Sequence, residues 1–288
     1  MMRDVLENSF LNKHKMTPLR LFIKNTLVRM TSNRLAQDLL EEIVQTVHIL
    51  QGLGGGSGEV QTSGERAAID LLKSKIKPPY CIFDVGANKG QYLNLLLENI
   101  ASDDYAIHSF EPGQEAFRQL HEAFIHDTNI FLNNIGIGKE MCSAILHYDY
   151  AGSGWASLTK RKLDHLGVSF DKSETVKITT IDNYCSEKKI EHIHLLKIDV
   201  EGHELDVLLG ARRMFEQRLI DIVAFEFGGS NVYTRTCFQD FWDFFNEMEM
   251  NLSRITPSGY LYPVESYSDI HEKFGVSNFV AVLSERET

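Results

Sequence analysis

The chain has 288 residues, of which 43% are hydrophobic, and it carries a net charge of −11. This length and composition allow one large α/β domain with a small appendage. The acidic balance argues against a nucleic-acid partner, because such a partner usually requires a basic face. No apolar run approaches the ~18 residues that a membrane-spanning helix needs.

The cysteines and the N-terminal residues indicate in which cellular compartment the protein is located. The four cysteines show no paired spacing, which is typical of reduced thiols in a cytoplasm. The first residues lack the apolar core and the small-residue cleavage site of a signal peptide. We therefore expect a cytoplasmic protein, either free or peripheral at the inner face of the membrane.

The first predicted element is a basic amphipathic helix over residues 17–30. Thr17 suits the N-cap and Pro18 the first helical position, and residues 1–34 hold seven Lys or Arg against two acids. Such a helix can lie on an anionic membrane surface. The alternative, which the sequence favours, is packing on the main domain or on a second subunit of a homo-oligomer.

A second helix is predicted from Ser32 to Gln51, and a segment with five glycines follows at residues 52–58. A glycine-rich segment is typical of a flexible linker. A mobile loop over a bound ligand is the alternative. We expect residues 1–58 to form a helical extension with a linker, and residues 59–288 to form the main domain.

The main domain is organised around a strand, a glycine turn and a helix. The strand covers residues 80–83, and the turn that follows holds Gly86, Ala87, Asn88 and Gly90. Gly86 can adopt a positive φ, and the helix after the turn directs free N–H groups towards a ligand. In open α/β sheets, ligands bind at such carboxyl ends of strands.

The next predicted strand, residues 105–110, ends in Glu111 and Pro112, roughly 20 residues after the glycine turn. An acid at this interval accepts hydrogen bonds from the ribose of an adenosine-containing cofactor. Asp84 and Asn88 disfavour a nicotinamide dinucleotide, because its diphosphate requires glycine and no neighbouring acid. S-adenosylmethionine has an ammonium, a sulfonium and no phosphate, so it suits this turn better.

From residue 143 to 182 the alternation of strand and helix gives way to a predicted hairpin region near the mouth of the site. Trp155 stands there among small residues. The sequence slightly favours packing of this tryptophan at the edge of the core. Stacking on the face of a sugar is the alternative.

A later buried strand ends in a second cluster, which contains Asp199, Glu201, His203 and Glu204. The helix dipole stabilises an acid at a helix start by roughly 0.3–1 kcal/mol, which explains Glu204 but not Asp199 or His203. The cluster could bind a divalent ion, but its spacing matches no compact metal motif, so we assign no metal ligand. Lys197, in the same strand, needs a partner that the sequence does not identify.

With both clusters in view, the chain resembles the FkbM family of S-adenosylmethionine-dependent methyltransferases. The resemblance covers roughly residues 60–284, and residues 1–58 lie largely outside it. It rests on four stretches in the family's order: Phe83-Asp84-Val85-Gly86-Ala87-Asn88-Lys89-Gly90, Phe110-Glu111-Pro112, Thr180-Ile181-Asp182, and Leu196-Lys197-Ile198-Asp199-Val200-Glu201-Gly202-His203-Glu204 with Gly210-Ala211 behind it.

The resemblance implies a class I methyltransferase fold, an α/β Rossmann-like sheet of seven strands with one antiparallel strand and helices on both faces. It also implies O-methylation of a hydroxyl on a sugar, a glycan or glycolipid, or a natural product. The residues that it implies for cofactor binding are Asp84, Gly86, Ala87, Asn88 and Gly90 at the methionine end, Glu111 and Pro112 at the ribose, and Asp199 beside the methyl group.

The catalytic residues predicted for this reaction are Asp199, Glu201 and His203. Asp199 and His203 are the candidate general bases for an unactivated hydroxyl, with Glu201 orienting one of them. Two other classes stay open. A nicotinamide-dependent oxidoreductase would share the strand, turn and ribose acid, and a non-catalytic, membrane-associated protein would bind S-adenosylmethionine and use the basic helix.

Overall fold

The structure is a computed structural model that describes residues 18–54, 63–100 and 104–285. The chain forms two compact units, which divide between Val47 and His48. The predicted domain boundary at residues 58 and 59 lies outside the described residues and stays a prediction. The predicted N-cap, Thr17, also lies outside them.

The N-terminal unit contains two helices, α1 (Pro18–Met30) and α2 (Arg34–Gln51), of which α2 continues past the boundary. Asn33 caps α2, since its Oδ1 accepts a hydrogen bond of 3.0 Å from the Ala36 N–H. Apolar side chains of α1, among them Phe22, are exposed. In the part of the chain that the structure describes, no helix is long and apolar enough to cross a bilayer.

The larger unit alternates strands and helices. Its helices are α3 (Arg66–Lys75), α4 (Gln91–Ile100), α5 (Gln114–Phe124), α6 (Ile181–Lys188), α7 (Glu204–Leu209), α8 (Arg212–Glu216), α9 (Asn231–Thr234) and α10 (Phe238–Glu247). Its strands are β1 (Tyr80–Val85), β2 (Tyr105–Phe110), β3 (Ile130–Asn133), β4 (Gly136–Ile137), β5 (Cys142–Tyr148), β6 (Lys172–Thr179), β7 (Ile193–Ile198), β8 (Ile220–Phe227), β9 (Met250–Ile255), β10 (Leu261–Pro263) and β11 (Ser277–Leu283).

One large sheet has the strand order β10-β9-β11-β8-β7-β1-β2-β3. β1 pairs in parallel with both β2 and β7, and β7 pairs in parallel with β8. β1 is therefore central and has side chains buried on both faces, which explains its nearly continuous apolar sequence. β11 runs antiparallel to β8 and to β9.

The predicted α/β fold of the class I methyltransferase type is confirmed, but the predicted strand count is wrong. Among the described residues the large sheet has eight strands rather than seven. Two of them are reversed rather than one, since β10 pairs antiparallel with β9. β10 is only three residues long and ends in Pro263, which lacks the N–H to extend a ladder. A strand this short carries no alternation pattern of its own that would separate it from β9.

Helices cover both faces of the sheet, as predicted. Along β1, Phe83 and Val85 belong to the core beneath α6, α7, α8 and α10. Tyr80 and Ile82 belong to the opposite core, beneath α3, α4 and α5. Alternation places Asp84 on this second face, at the end of the strand. The predicted hairpin region is confirmed as a separate three-stranded sheet of β4, β6 and β5.

Candidate active site

The turn after β1 is shaped by residues with positive φ. Gly86 has a φ of +86°, Asn88 of +47° and Gly90 of +92°. A Cβ atom on Gly90 would lie 2.3 Å from Cε2 of Phe124, and Gly90 lines neither cavity of the site. Gly90 therefore lets α5 pack beneath the turn, and its predicted contact with a cofactor stays a prediction.

Asp84 is the penultimate residue of β1, two positions before Gly86, and it lines neither cavity of the site. It is fully buried, and both of its carboxylate oxygens lack a hydrogen-bond partner among the described residues. Burial raises the pKa of Asp84 to about 7, although the charge of Lys197 opposes the shift. A buried carboxylate without a partner is costly unless a ligand supplies one. The Oδ1 of Asn88 and the hydroxyl of Tyr92 are also buried and without a partner among the described residues.

Glu111 follows β2 and is fixed by the backbone around it. Its Oε2 accepts a hydrogen bond of 2.9 Å from the Asn88 N–H, and its Oε1 accepts one of 2.7 Å from the Gly113 N–H. Burial raises the pKa of Glu111 to about 7 despite these two bonds. Each carboxylate oxygen keeps a second lone pair. Glu111 is thus held in one orientation while it can still accept bonds from a ligand.

Two adjoining cavities lie at this edge of the sheet. The larger has a volume of about 1330 Å³ and the smaller about 60 Å³. The smaller is lined by Glu111 and Pro112 together with apolar side chains such as Ile137. The larger is lined by Ala87 and by charged residues of the second cluster. The residues that line both are Gly86, Asn88, Gly154, Asp199 and Glu201.

The structure identifies the partners of Lys197. Its Nζ lies 3.0 Å from Oδ2 of Asp199 and 3.5 Å from Oε1 of Glu65, and it stands over the ring of Tyr92. Burial alone would lower the pKa of Lys197, but the charges of Asp199, Glu65 and Asp84 raise it above its usual value. Lys197 therefore stays charged and holds Asp199 in place.

Residues 149–171, which we call the insert, connect β5 to β6 and are bound to the tip of β7. The Arg161 guanidinium lies 2.8 Å from Oε2 of Glu201, and Ser157 Oγ donates a 2.8 Å hydrogen bond to the backbone oxygen of Glu201. Both charged side chains are largely buried, at 6% and 18% exposure. Burial raises the pKa of Glu201 to about 7, and Arg161 opposes this. Glu201 thereby connects the insert to the site.

His203 belongs to the same connection. Its Nδ1 lies 2.8 Å from Oδ2 of Asp206, and its Nε2 lies 2.9 Å from Oγ1 of Thr159 in the insert. Both ring nitrogens are engaged, whichever tautomer is present. His203 lines the smaller cavity, but the structure gives it no nitrogen directed at a reacting group. Its predicted role as a general base is thus not favoured by the geometry.

Trp155 was predicted from the sequence to pack at the core edge, and this was wrong. Its side chain is 44% exposed and lines the larger cavity beside Arg161, which donates a hydrogen bond to the Trp155 backbone oxygen. Trp155 is therefore available to a ligand.

From the sequence, no role at the site was assigned to three residues, namely Glu65, Arg161 and Glu226. All three line the larger cavity. Glu65 precedes α3 and reaches Lys197 from 132 positions away in sequence, so local patterns cannot pair them. The sequence pattern could have identified Glu226 as a site residue, because it is an acid near the end of a strand at the same edge of the sheet as Asp199.

The geometry does not bring Asp199, Glu201 and His203 together as metal ligands. Among the described residues, the one group of side chains close enough to hold an ion is His192, His194 and Asp221. His194 Nδ1, however, accepts a hydrogen bond of 2.8 Å from the Cys81 N–H, so the neutral ring carries its proton on Nε2. Binding a metal through either nitrogen would require loss of that bond or of that proton.

Comparison with known proteins agrees with the geometry. The family model of the methyltransferase FkbM domain matches residues 84–261, more than half of the chain. The 2-O-methyltransferase NoeI of Sinorhizobium fredii is 28% identical over 168 residues, which cover 51% of this chain and 62% of NoeI. This chain therefore spans less than two thirds of that relative.

Solved structures of methyltransferases also resemble the chain. An FkbM methyltransferase from Methylobacillus flagellatus is 14% identical with a TM-score of 0.42, over 85% of this chain and 60% of the other. Fibrillarin from Aeropyrum pernix, in complex with S-adenosyl-L-methionine, is 15% identical with a TM-score of 0.39, over 78% and 76%. On the extent of the family match, the chain belongs to the methyltransferase FkbM domain family.

Proposed function

We propose that the protein is an S-adenosylmethionine-dependent O-methyltransferase that acts on a hydroxyl of a sugar, a glycan or glycolipid, or a natural product. Family membership supports methyl transfer, and the similarity to a 2-O-methyltransferase supports an oxygen acceptor. The observation that carries the proposal is the fully buried Asp84 carboxylate, which lacks a hydrogen-bond partner among the described residues. It matches a cofactor that brings a positive charge and no phosphate.

The residues of the two cavities, together with Asp84 at the end of β1, fit S-adenosylmethionine. Asp84 and Asn88 offer buried acceptor oxygens to its ammonium group. Glu111 offers fixed carboxylate oxygens to the ribose hydroxyls, and the apolar lining around Pro112 and Ile137 suits a planar base. When bound, the cofactor supplies a methyl group on a positively charged sulfur.

The protein's own residues align the acceptor and exclude water. Transfer of a methyl group needs the acceptor oxygen in line with the carbon, so positioning provides much of the catalysis. Lys197 fixes Asp199 next to the turn of Gly86. Arg161 and His203 hold the insert over the cavities, which removes solvent from the reacting atoms. Asp199 and Glu201 stay predicted catalytic residues.

Two other functions are less compatible with the site. A dinucleotide would place its diphosphate on the turn, where the buried Asp84 carboxylate would repel it and Asn88 stands instead of glycine. A non-catalytic binding protein would not need every motif position, yet the motifs of both clusters are intact. These features speak against an oxidoreductase and against an inactive protein.

The partners also remain proposals. Peripheral membrane contact through residues 17–30 and homo-oligomerisation are both compatible with the exposed apolar side chains of α1, among them Phe22, Leu27 and Met30. Flotation with anionic vesicles and measurement of mass in solution, each repeated without residues 1–34, would distinguish the two. We expect one of these properties to be lost on truncation.

Calorimetric titration of the protein with S-adenosylmethionine, with NAD as the control ligand, tests the proposed function. We expect saturable binding of S-adenosylmethionine at one site and no binding of NAD. Binding of NAD, or of neither ligand, would contradict the proposal. Transfer of a labelled methyl group to glycan acceptors would then establish the reaction.

A further inference from the structure

Glu226 stands beside Asp199 at the carboxyl edge of the sheet. β7 and β8 pair Lys197 with Ala224 and Ile198 with Phe225, so the next step of the same register sets Asp199 beside Glu226. Paired residues of neighbouring parallel strands lie roughly 5 Å apart and face the same side of the sheet. Both carboxylates line the larger cavity. Glu226 therefore flanks the predicted position of methyl transfer.

The three carboxylates that follow β7, namely those of Asp199, Glu201 and Glu204, are already engaged. Asp199 is paired with Lys197 and Glu201 with Arg161. Glu204 accepts hydrogen bonds from the Gly202 N–H at 2.9 Å and from the Asn231 amide at 3.0 Å.

The neighbouring residue on β11 does not form a hydrogen bond with Glu226 either. Asn278 of β11 is the pairing neighbour of Glu226 on β8, and its side-chain amide donates a hydrogen bond of 3.2 Å to the backbone oxygen of Ser63. Glu226 itself forms no hydrogen bond or ion pair with any described residue. Among the described carboxylates of β7, β8 and the start of α7 that face this edge, Glu226 is the one left for a ligand, while Asp84 on β1 is reserved for the proposed cofactor.

The surroundings of Glu226 make it a stronger proton acceptor than an ordinary carboxylate. Burial raises the pKa of Glu226 well above its usual value, and the carboxylates of Asp199, Glu201 and Glu204 raise it further, while Lys197 opposes them. A general base works best when its pKa lies near the working pH. The charged groups that face Glu226 thus agree with the role that its position suggests.

We propose that Glu226 binds the acceptor hydroxyl and takes its proton during methyl transfer. The inference rests on the proposed function. The acceptor oxygen gains a bond to the methyl carbon, the electron pair of the broken carbon–sulfur bond stays on the sulfur of the donor, and the hydroxyl proton moves to the Glu226 carboxylate. Asp199, fixed by Lys197, then positions the reacting groups and is not the base.

Glu226→Gln tests this, because the amide keeps the shape of the side chain but cannot take up the proton. Glu122→Gln is the matched control, since Glu122 lies on the exposed face of α5, outside both cavities, and its replacement removes the same charge. We expect Glu226→Gln to bind S-adenosylmethionine within twofold of the wild type. Its turnover with any acceptor that the wild type uses should fall by about 100-fold or more, while the turnover of Glu122→Gln stays within threefold.

The pH dependence of the rate separates catalysis from structure. The rate of the wild type should rise with pH until Glu226 is ionised, and this dependence should disappear in Glu226→Gln. Wild-type turnover in Glu226→Gln, or equal losses in both variants, would overturn the inference while leaving the methyltransferase intact. Failure of the wild type to bind S-adenosylmethionine would instead overturn the proposed function, and with it the assignment of Glu226 as the base.

A readout without an acceptor completes the test. The protein loaded with S-adenosylhomocysteine is treated with a water-soluble carbodiimide and glycine ethyl ester, and the modified carboxyls are located by mass spectrometry. We expect Glu226 to react at least fivefold faster than Glu204, which Gly202 and Asn231 enclose. Equal or slower reaction at Glu226 would show that an acceptor cannot reach it, and would overturn the inference.

Discussion

A Cβ atom on Gly86 would lie 1.7 Å from the backbone oxygen of Asp199. The turn after β1 and the tip of β7 can therefore approach each other only because residue 86 has no side chain. Its φ of +86° independently favours glycine. This close approach brings the two motif clusters, which are far apart in sequence, to the walls of the same cavities.

Gly86→Ala should disrupt both the fold around the turn and cofactor binding. A left-handed conformation costs a residue with a side chain roughly 1–2 kcal/mol, and the backbone must also move to relieve the clash. Gly167→Ala is the matched control, because Gly167 has a φ of +69° with nothing within 4 Å of its Cβ position. At about 2–4 °C per kcal/mol, the control should lose about 2–8 °C in Tm, and Gly86→Ala should lose more together with its binding of S-adenosylmethionine. Equal Tm losses and retained binding would contradict the clash.

Asp84→Asn should weaken cofactor binding without weakening the fold. Removing the negative charge should raise the Kd for S-adenosylmethionine by about tenfold or more, equivalent to about 1.4 kcal/mol. The free energy of unfolding should stay equal or rise, because the variant no longer buries an unpaired charge. Calorimetry and urea denaturation measure the two effects. The control is Asp70→Asn, at an exposed acid of α3, which should change neither the Kd nor the free energy of unfolding. An unchanged Kd in Asp84→Asn would contradict the assignment of Asp84 to cofactor binding.

The ligand-free protein should lose stability as the pH rises from about 4 to about 7. Burial raises the pKa of both Asp84 and Glu111 to about 7. In this range the folded state keeps protons that the unfolded state has released, so each rise in pH favours unfolding. The stabilisation is fully present below the unfolded pKa near 4 and is lost by about pH 7.

Urea denaturation at pH 5, 6, 7 and 8 measures how the free energy of unfolding depends on pH. Asp84 and Glu111 should each lower it by at most about 1.4 kcal/mol per pH unit. The double variant Asp84→Asn/Glu111→Gln should show a shallower slope than the wild type between pH 5 and 7. Other carboxyls contribute to both proteins, so the difference between the two slopes reports on Asp84 and Glu111. Equal slopes would show that neither group has a raised pKa.

Arg161→Met should release the insert from the tip of β7. Removing one partner of a buried ion pair costs roughly 3–5 kcal/mol, and protonation of Glu201 should reduce this. We expect faster hydrogen exchange in residues 149–171 and a lower Tm, with partial recovery in Arg161→Met/Glu201→Met. Arg118→Met is the control, because Arg118 forms comparable ion pairs on the exposed face of α5, where they contribute little. Unchanged exchange in the insert would mean that other contacts hold it.

Local sequence was sufficient for much of this protein. The apolar run of β1, the glycines after it, and the acids at the ends of β2 and β7 are signals that span only a few residues each. They predicted the α/β fold and placed Asp84 and Glu111 at the carboxyl ends of two strands, which the structure shows to be parallel neighbours. The physical reason is that strand alternation, left-handed turns and helix starts depend on neighbouring residues.

The tertiary structure decided which of these groups are free to act. Lys197 meets Glu65, and His203 meets Thr159, across long stretches of chain that no periodic pattern connects. Hydrogen-bond partners brought together by folding engage His203 and Glu201 but leave Glu226 without a partner among the described residues. The residue types at the strand ends determined the chemistry available at the site, and the packing of β7, β8 and the insert determined which side chains remain open to a ligand.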